Sequence, residues 1–528
     1  MFSFAFLITL YSYTIFFIGI IGLLYKNVIV SISLFYSFIA IYLFLKKKLY
    51  ILSLKINSKI EVLFISIISL QALINIIGAL GPELSFDSLW YHLTLPKLYL
   101  LNNRIMFIPG GLLYYSAMPK LSEMIYLGIL AIKSEVFVKI CHYFFGIFSI
   151  IALFNFSKKI YSRTISLIIV TIFYSNLVVA WESITSYIDL IRTFYEILAF
   201  ISFYNWIEYK NKRWLVYSAI LLGSAISVKI ISFFSLIIYF ILIIVNFINH
   251  KSSIYNLFIN LFIYIFIALI IPLPWFIFSY INTGNLIYPF FNLLNHAILI
   301  DLPSSFVNFI YKIILLFLRS PDPISPLYFI FIPLIFIYKS KNKNIIYFYI
   351  YAFIALLACI LTSSTGGSRF LMPYLPIWTL IIGDVIQNIY NIKFKKFIII
   401  IIIIFSFISV PYRFIANIRF IPVILGLESK NNFLKNNLNF NFGDFYDIDG
   451  YLDKKINYND SVLIYDIHNL YYIDFPYIHE SWLKKNDKYN FIISRSVIFP
   501  LNLDKNKWKL IYRNFKSNVI LYGKIYDN

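Results

Sequence analysis

GPELSFDSLWYHLTLPKLYLLNNRIMFIPGGLLYYSAMPK, residues 81–120, interrupts a chain otherwise built from long apolar runs. It follows an apolar segment at 60–80 and sets Glu83, Asp87, His92, Lys97, Arg104 and Lys120 among aromatic residues. A connector between two membrane helices needs none of that chemistry. The stretch reads as an active-site loop laid along a bilayer surface.

Working outward, apolar runs recur along most of the 528 residues, and the chain is 61% hydrophobic and 13% charged. A bilayer core requires ~20 apolar residues per helix, so the fold class is an all-α polytopic membrane protein. The net charge is +21, from 45 basic and 24 acidic residues. In a soluble chain that excess would point to nucleic acid. Here the basic residues fall in short loops between apolar runs, where they orient the helices, and no nucleic-acid partner is expected. Cys141 and Cys359 both lie inside apolar segments and read as small core residues. Residues 1–24 open a hydrophobic run without a small-residue cleavage site, so no cleaved signal peptide is expected.

The apolar runs predict about 13 transmembrane helices, near 4–24, 27–45, 60–80, 136–156, 164–181, 188–207, 214–229, 231–248, 254–280, 325–338, 345–362, 370–390 and 397–412. Two shorter pieces, 121–132 and 309–318, fit interfacial or re-entrant helices. With thirteen spans, six lysine-rich loops share one side. They carry Lys46–Lys48, Lys55 and Lys59; Lys158, Lys159 and Arg163; Lys210, Lys212 and Arg213; Lys251; Lys339, Lys341 and Lys343; and Lys393, Lys395 and Lys396. The positive-inside rule makes that side and the N-terminus cytoplasmic. Loops 81–135 and 281–324 and the C-terminal tail then lie outside the cell's inner (plasma) membrane. The division expected is 1–59 (two N-terminal helices), 60–412 (the main transmembrane region) and 413–528 (a small extracytoplasmic α/β domain). The tail turns polar near 427 and has strand-like runs at 461–466, 490–497, 508–514 and 518–526. It has no glycine-rich phosphate loop.

Ionisable groups at membrane depth are costly, which makes each outer cluster a functional candidate. Glu83, Asp87 and His92 leave the third span, with Lys97 and Arg104 following. A carboxylate at that rim can take a proton from an attacking hydroxyl, and the basic groups can hold a phosphate; alternatively Asp87 caps the helix that follows. Asp189, Arg192 and Glu196 share one helical face below Glu182, either as a substrate contact or as a self-neutralising ladder. Lys229 stands alone between apolar runs; it can serve a phosphate, pair with Asp189 or Glu196, or snorkel. Arg369 follows Gly366 and Gly367, where backbone can approach a ligand closely and a guanidinium suits a phosphate. The acidic run at 444–453 does not match an EF-hand and reads as a solvated loop.

In order along the chain, FDSLWYHLTLPKLYLLNNRI (86–105), SYIDL (186–190), the Lys229 segment, PWFIFSYINTGNLIYP (274–289), SRFLMPYLP (368–376) and DSVLIYDIHNLYYIDFP (460–476) resemble the GT-C superfamily of membrane glycosyltransferases. The branch is the bacterial one related to protein O-mannosyltransferases and the aminoarabinose transferase of lipid A. The resemblance covers most of 60–528 and leaves the first two spans as an addition. It implies a GT-C-like fold and an enzyme that moves a sugar from a polyprenyl-phosphate donor to a lipid, glycan or protein acceptor on the extracytoplasmic face. Asp87 takes the position of the acidic residue that acts on the acceptor, and Asp189 that of a second acidic residue. Arg369, Lys229 and Lys97 are the phosphate binders by position and charge, with Glu83, His92, Arg104 and Arg192 as further substrate-binding candidates. The loop departs from the pattern in lacking Asp-x-Asp or an adjacent acidic pair, and no metal or other cofactor is expected. The rival readings are a transporter or flippase of lipid-linked sugars, a polymerase or ligase using a diphosphate donor, and a non-catalytic scaffold whose outer loop binds a partner.

Overall fold

The computed structural model describes residues 1–46, 58–251, 253–290, 304–318, 323–340, 342–361, 364–495, 499–500 and 503–525. Lys47, Lys48, Lys55, Lys341 and the middle of the 281–324 loop lie outside the described residues, as do the last two positions of the run 490–497.

Each of the thirteen apolar segments falls on helix, and so do the two shorter pieces, at Leu121–Leu130 and Phe306–Leu318. Among the described residues, six helices are long and apolar enough to cross a bilayer: Phe2–Ile20, Lys26–Lys46, Lys59–Leu80, Glu135–Ile160, Ile230–His250 and Ile392–Ile424. A seventh is the pair Ile254–Ile270 and Leu273–Thr283, bent by 57° where Pro272 and Pro274 cannot continue the hydrogen-bond ladder. The predicted span 164–181 is broken into Arg163–Tyr174 and Leu177–Glu182, with the Asn176 side chain accepting from the Val178 N–H. The molecule is a multi-pass helical membrane protein.

Helix Asp189–Tyr209 is the centre of the bundle. Its side chains are buried from Asp189 to Ile207, and it packs against Glu135–Ile160 and Lys212–Val228. A helix buried all round belongs to a core. The first helix is tied into the same core, since Thr9 Oγ1 lies 2.9 Å from the Tyr195 hydroxyl and Phe16 packs 4.0 Å from Trp275. Helix Lys26–Lys46 buries only Ile29.

The two ends of the bundle are chemically distinct. At one end Arg163 meets Glu61 (3.5 Å), Asn344 meets Glu208 (3.1 Å) and Ser340 meets Asp384 (3.0 Å). Ser58, Ser162, Asn211, Ser253 and Asn391 cap helix starts beside these lysine-rich turns. At the other end lie Asp87, Asp189 and the C-terminal sheet. Glu208 and Asp189 sit at opposite ends of one 21-residue helix, about 30 Å long at ~1.5 Å per residue.

The C-terminal sheet has five strands: β1 (Val462–Tyr465), β2 (Tyr477–His479), β3 (Phe491–Ser494), β4 (Trp508–Arg513) and β5 (Ile520–Lys524), in the order β2-β1-β3-β5-β4. The first three are parallel, and β5 runs antiparallel to both β3 and β4. Three residues are too few for an alternating pattern, so β2 has no counterpart among the strand-like runs. The acids at 447–453 are satisfied locally: Asp447 accepts the Asp453 N–H, and Asp449 accepts the Tyr451 N–H and the Tyr512 hydroxyl.

The sheet is tied to residues 81–120. Lys97 Nζ donates to the carbonyls of Tyr471 (2.7 Å) and Ile473 (2.8 Å) and pairs with Asp474 (2.7 Å). The Tyr472 hydroxyl donates to the Glu83 carbonyl. At the start of the loop, the buried Lys139 donates to the carbonyls of Gly78, Gly81 and Pro82 at 2.9, 2.8 and 3.1 Å. It thereby caps helix Lys59–Leu80 from a neighbouring helix. Replacing Lys139 by Met leaves buried carbonyls without donors at ~1–3 kcal/mol each. The expected outcome is a thermal midpoint in detergent lowered by several degrees, measured against a Lys139→Arg control that keeps donors in place.

Candidate active site

Asp87 opens the turn Ser88–His92, a π-helical widening of the kind that re-aims side chains at functional positions. Its carboxylate makes no capping hydrogen bond, so the capping role considered for it is not what the side chain does. Asp87 Oδ2 instead pairs with Arg369 Nη2 at 2.6 Å and is 3.4 Å from the Tyr91 hydroxyl. The Asp87 N–H donates to the Tyr187 hydroxyl at 3.3 Å. The Arg369 guanidinium lies over the Tyr187 ring (4.9 Å) and near that of Phe370 (5.7 Å), and it follows Gly367, which takes the left-handed φ of +56°.

A second ion pair stands beside the first. Lys229 Nζ reaches Asp189 Oδ1 at 2.7 Å and Oδ2 at 3.0 Å. Lys229 terminates helix Lys212–Val228, and Asp189 starts the central helix. Lys229 Nζ also lies 4.8 Å from the Phe370 ring, so one aromatic side chain touches the cations of both pairs. The pairs differ in access: the Asp87, Arg369 and Lys229 side chains are 14–16% exposed, while Asp189 is fully buried. Four separate segments converge here, and Asp87, Arg369 and Lys229 are the members that reach the surface.

The other predicted residues surround this centre in different ways. Glu83 spends its carboxylate on backbone: Oε1 accepts the N–H of Leu84 (2.9 Å) and Ser85 (2.8 Å), and Oε2 that of Ser186 (2.6 Å). It joins the 81–120 loop to the turn before Asp189. His92 is buried and pairs with Glu123 at 2.8 Å. Lys97 is held by the C-terminal sheet, and Arg104 is exposed in the bend that follows helix Thr94–Leu101. Arg192 lies below the pairs, with Nε on Ser232 Oγ (2.7 Å) and Nη2 on the Tyr374 hydroxyl (2.6 Å). Its contact with Glu196 is 3.8 Å, so the helical ladder is loose, and the tight partner of Asp189 comes from another helix.

Tyr91, Tyr187, Phe370 and His142 complete the site, and none carries a sequence signal in a chain with 44 Tyr and 55 Phe. His142 Nδ1 lies 2.9 Å from the Thr185 carbonyl, and Nε2 accepts the Leu190 N–H at 3.1 Å, which pins the turn between Glu182 and Asp189. Lys120 is buried in the loop, with Nζ over Trp275 at 5.7 Å. Loss of hydration pulls its amine down to about 7, against the attraction of Glu123.

The architecture and paired charges define a polytopic helical membrane protein with two ion pairs at one end, beside a small mixed sheet. No family model matches the sequence, and no curated protein matches it. Among solved structures, the chain is similar to ArnT from Cupriavidus metallidurans bound to undecaprenyl phosphate, with a TM-score of 0.58 over 88% of this chain and 98% of that one at 9% identity. The apo form of the same ArnT matches with a TM-score of 0.58, 88% and 97% coverage and 9% identity. The likeness is one of fold, and it is the fold that the GT-C resemblance implies.

Removing one member of the buried pair strands the other. Asp189→Asn or Lys229→Met alone is expected to destabilise by about 3–5 kcal/mol. The double variant should recover much of that loss in thermal unfolding, because no uncompensated charge remains.

Proposed function

We propose that this chain is an integral membrane glycosyltransferase that moves a sugar from a polyprenyl-phosphate donor to an acceptor on the extracytoplasmic face. The observation that carries the reading is the convergence of Asp87–Arg369 and Asp189–Lys229 on Phe370 in a chain with an ArnT-like fold. A solved relative by fold holds undecaprenyl phosphate, and a lipid of that class suits a charged cleft at the end of an apolar bundle. Its chain stays in the hydrocarbon while its phosphate reaches the cations.

In the proposed reaction, an acceptor hydroxyl or amine loses its proton to the Asp87 carboxylate as it attacks the anomeric carbon. The bond between that carbon and the phosphate oxygen breaks, and its electron pair stays on the phosphate. A single displacement of this kind inverts the anomeric centre. The phosphate leaves as an anion, so the catalytic need is for cations rather than for a general acid. Arg369 has five N–H donors and can keep Asp87 while turning others to the phosphate. Lys229, 15% exposed above the buried Asp189, supplies the second charge. Asp189 holds Lys229 in place. Glu83 and His92 position the loop, Lys97 ties it to the sheet, and Arg192 supports the central helix from below.

The topology proposed with this reading has thirteen spans in the inner membrane and a cytoplasmic N-terminus. The loops 81–135 and 281–324 and the region 413–528 are extracytoplasmic. Cysteine-accessibility labelling checks it: positions in 81–120 should react from outside the membrane, and positions beside Lys210 and Lys393 from the cytoplasm.

Asp87→Asn is expected to lower transfer from a polyprenyl-phosphate sugar by ~10²–10⁴-fold while the protein still inserts and folds. Sugar transfer from the purified donor, scored alongside a diphosphate donor, checks it. A fully active Asp87→Asn variant removes the assignment. Transport without release of the sugar favours the flippase instead.

A further inference from the structure

Glu182 ends the short helix Leu177–Glu182 and is fully buried, yet among the described residues neither of its carboxylate oxygens has a hydrogen-bond partner. Its helix packs against Ser364–Phe370, the segment that carries Arg369 and Phe370, and His142 bridges the Glu182 carbonyl and the Leu190 N–H next to Asp189, which sets Glu182 among the charges of both ion pairs. Its backbone is not loose: the Glu182 carbonyl receives the Thr185 hydroxyl at 3.0 Å and lies 3.1 Å from His142 Nδ1. The main chain is pinned, and the side chain is left without a partner beside the cations.

Charge counting restricts what this side chain can be. Asp87 and Asp189 already balance Arg369 and Lys229. An ionised Glu182 would add a third carboxylate with no donor to solvate it, a heavy burial cost. It would also repel any anion brought to Arg369 and Lys229. A protonated carboxyl has the opposite character, since it presents an O–H donor to an incoming acceptor.

We propose that Glu182 is a phosphate ligand of the cleft, acting as a neutral carboxylic acid whose O–H donates to a non-bridging oxygen of the lipid phosphate held by Arg369 and Lys229. The inference rests on the donor class proposed above and adds a third ligand to it. Glu182 makes and breaks no covalent bond, and its proton stays on the carboxyl group. When the sugar–phosphate bond breaks, the phosphate gains negative charge and the O–H contact to it strengthens. The same contact would hold the released lipid phosphate, so it can be measured without knowing the sugar or the acceptor.

The test uses the purified full chain in detergent with undecaprenyl phosphate as probe and undecaprenol as the phosphate-free control. Glu182→Gln keeps the shape and a donor, and it should bind the probe within about threefold of the parent protein. Glu182→Leu removes the donor, and it should bind about ten- to a hundredfold more weakly, the range for a hydrogen bond to a charged group. Undecaprenol binding should be unchanged in both. Should Glu182→Leu bind as the parent does, or Glu182→Gln fall as far as Glu182→Leu, the proposal is overturned. Should Glu182→Leu not fold, infrared spectra decide: the parent should show the carbonyl stretch of a protonated carboxyl group that Glu182→Gln lacks, and its absence overturns the proposal equally. Arg369→Gln separates the underlying reading. If that variant keeps full affinity for undecaprenyl phosphate, the cleft is not a phosphate site at all, whatever Glu182 does.

Discussion

A charge placed among apolar helices must find an opposite charge, because the surroundings offer no water to solvate it. That constraint organises the functional end of this molecule. Asp189 has no solvent exposure and is held by Lys229 from another helix, while Asp87 is held by Arg369 from a segment almost three hundred residues away. Each pair links parts of the chain that share no sequence neighbourhood, so satisfying the charges also brings these segments together. At the Asp189–Lys229 pair the cation is the accessible member, so positive charge is what that pair presents.

The same logic holds the loop in place. Polar groups that would otherwise be stranded are spent on backbone: Lys139 on three carbonyls, Glu83 on three N–H groups, His142 on the turn before Asp189. A loop of this length would be mobile if it were tethered only at its ends. These contacts and the Lys97 clamp to Asp474 and the neighbouring carbonyls tie it to the bundle and to the sheet instead. Against that background Glu182 stands out, because its carboxyl group alone among those of the acids around the two pairs lacks any hydrogen bond among the described residues.

The apolar run lengths determined by themselves that the chain is a multi-pass helical bundle, since an 18-residue hydrophobic stretch has few other uses. The lysine pattern grouped the loops now found at one end, because the cost of moving charge across a bilayer is paid residue by residue and leaves a local signature. The placement of Asp87, Asp189, Lys229 and Arg369 as candidates was also legible, each being an ionisable group beside an apolar run. Where helix 164–181 breaks, and that a three-residue strand joins the sheet, were not, because Asn176 caps and β2 pairs only in context.

Tertiary structure alone decided who pairs with whom. Nothing in the spacing of Asp189, Arg192 and Glu196 says that the close partner of Asp189 is Lys229 rather than Arg192 one turn away. Ion pairing depends on distance in space, which falls steeply in its effect beyond a few ångströms, while a sequence records only distance along the chain. The tyrosines and the phenylalanine of the cleft were hidden for a related reason: in so aromatic a chain, a ring that touches a guanidinium looks the same as one that touches lipid until the helices are packed.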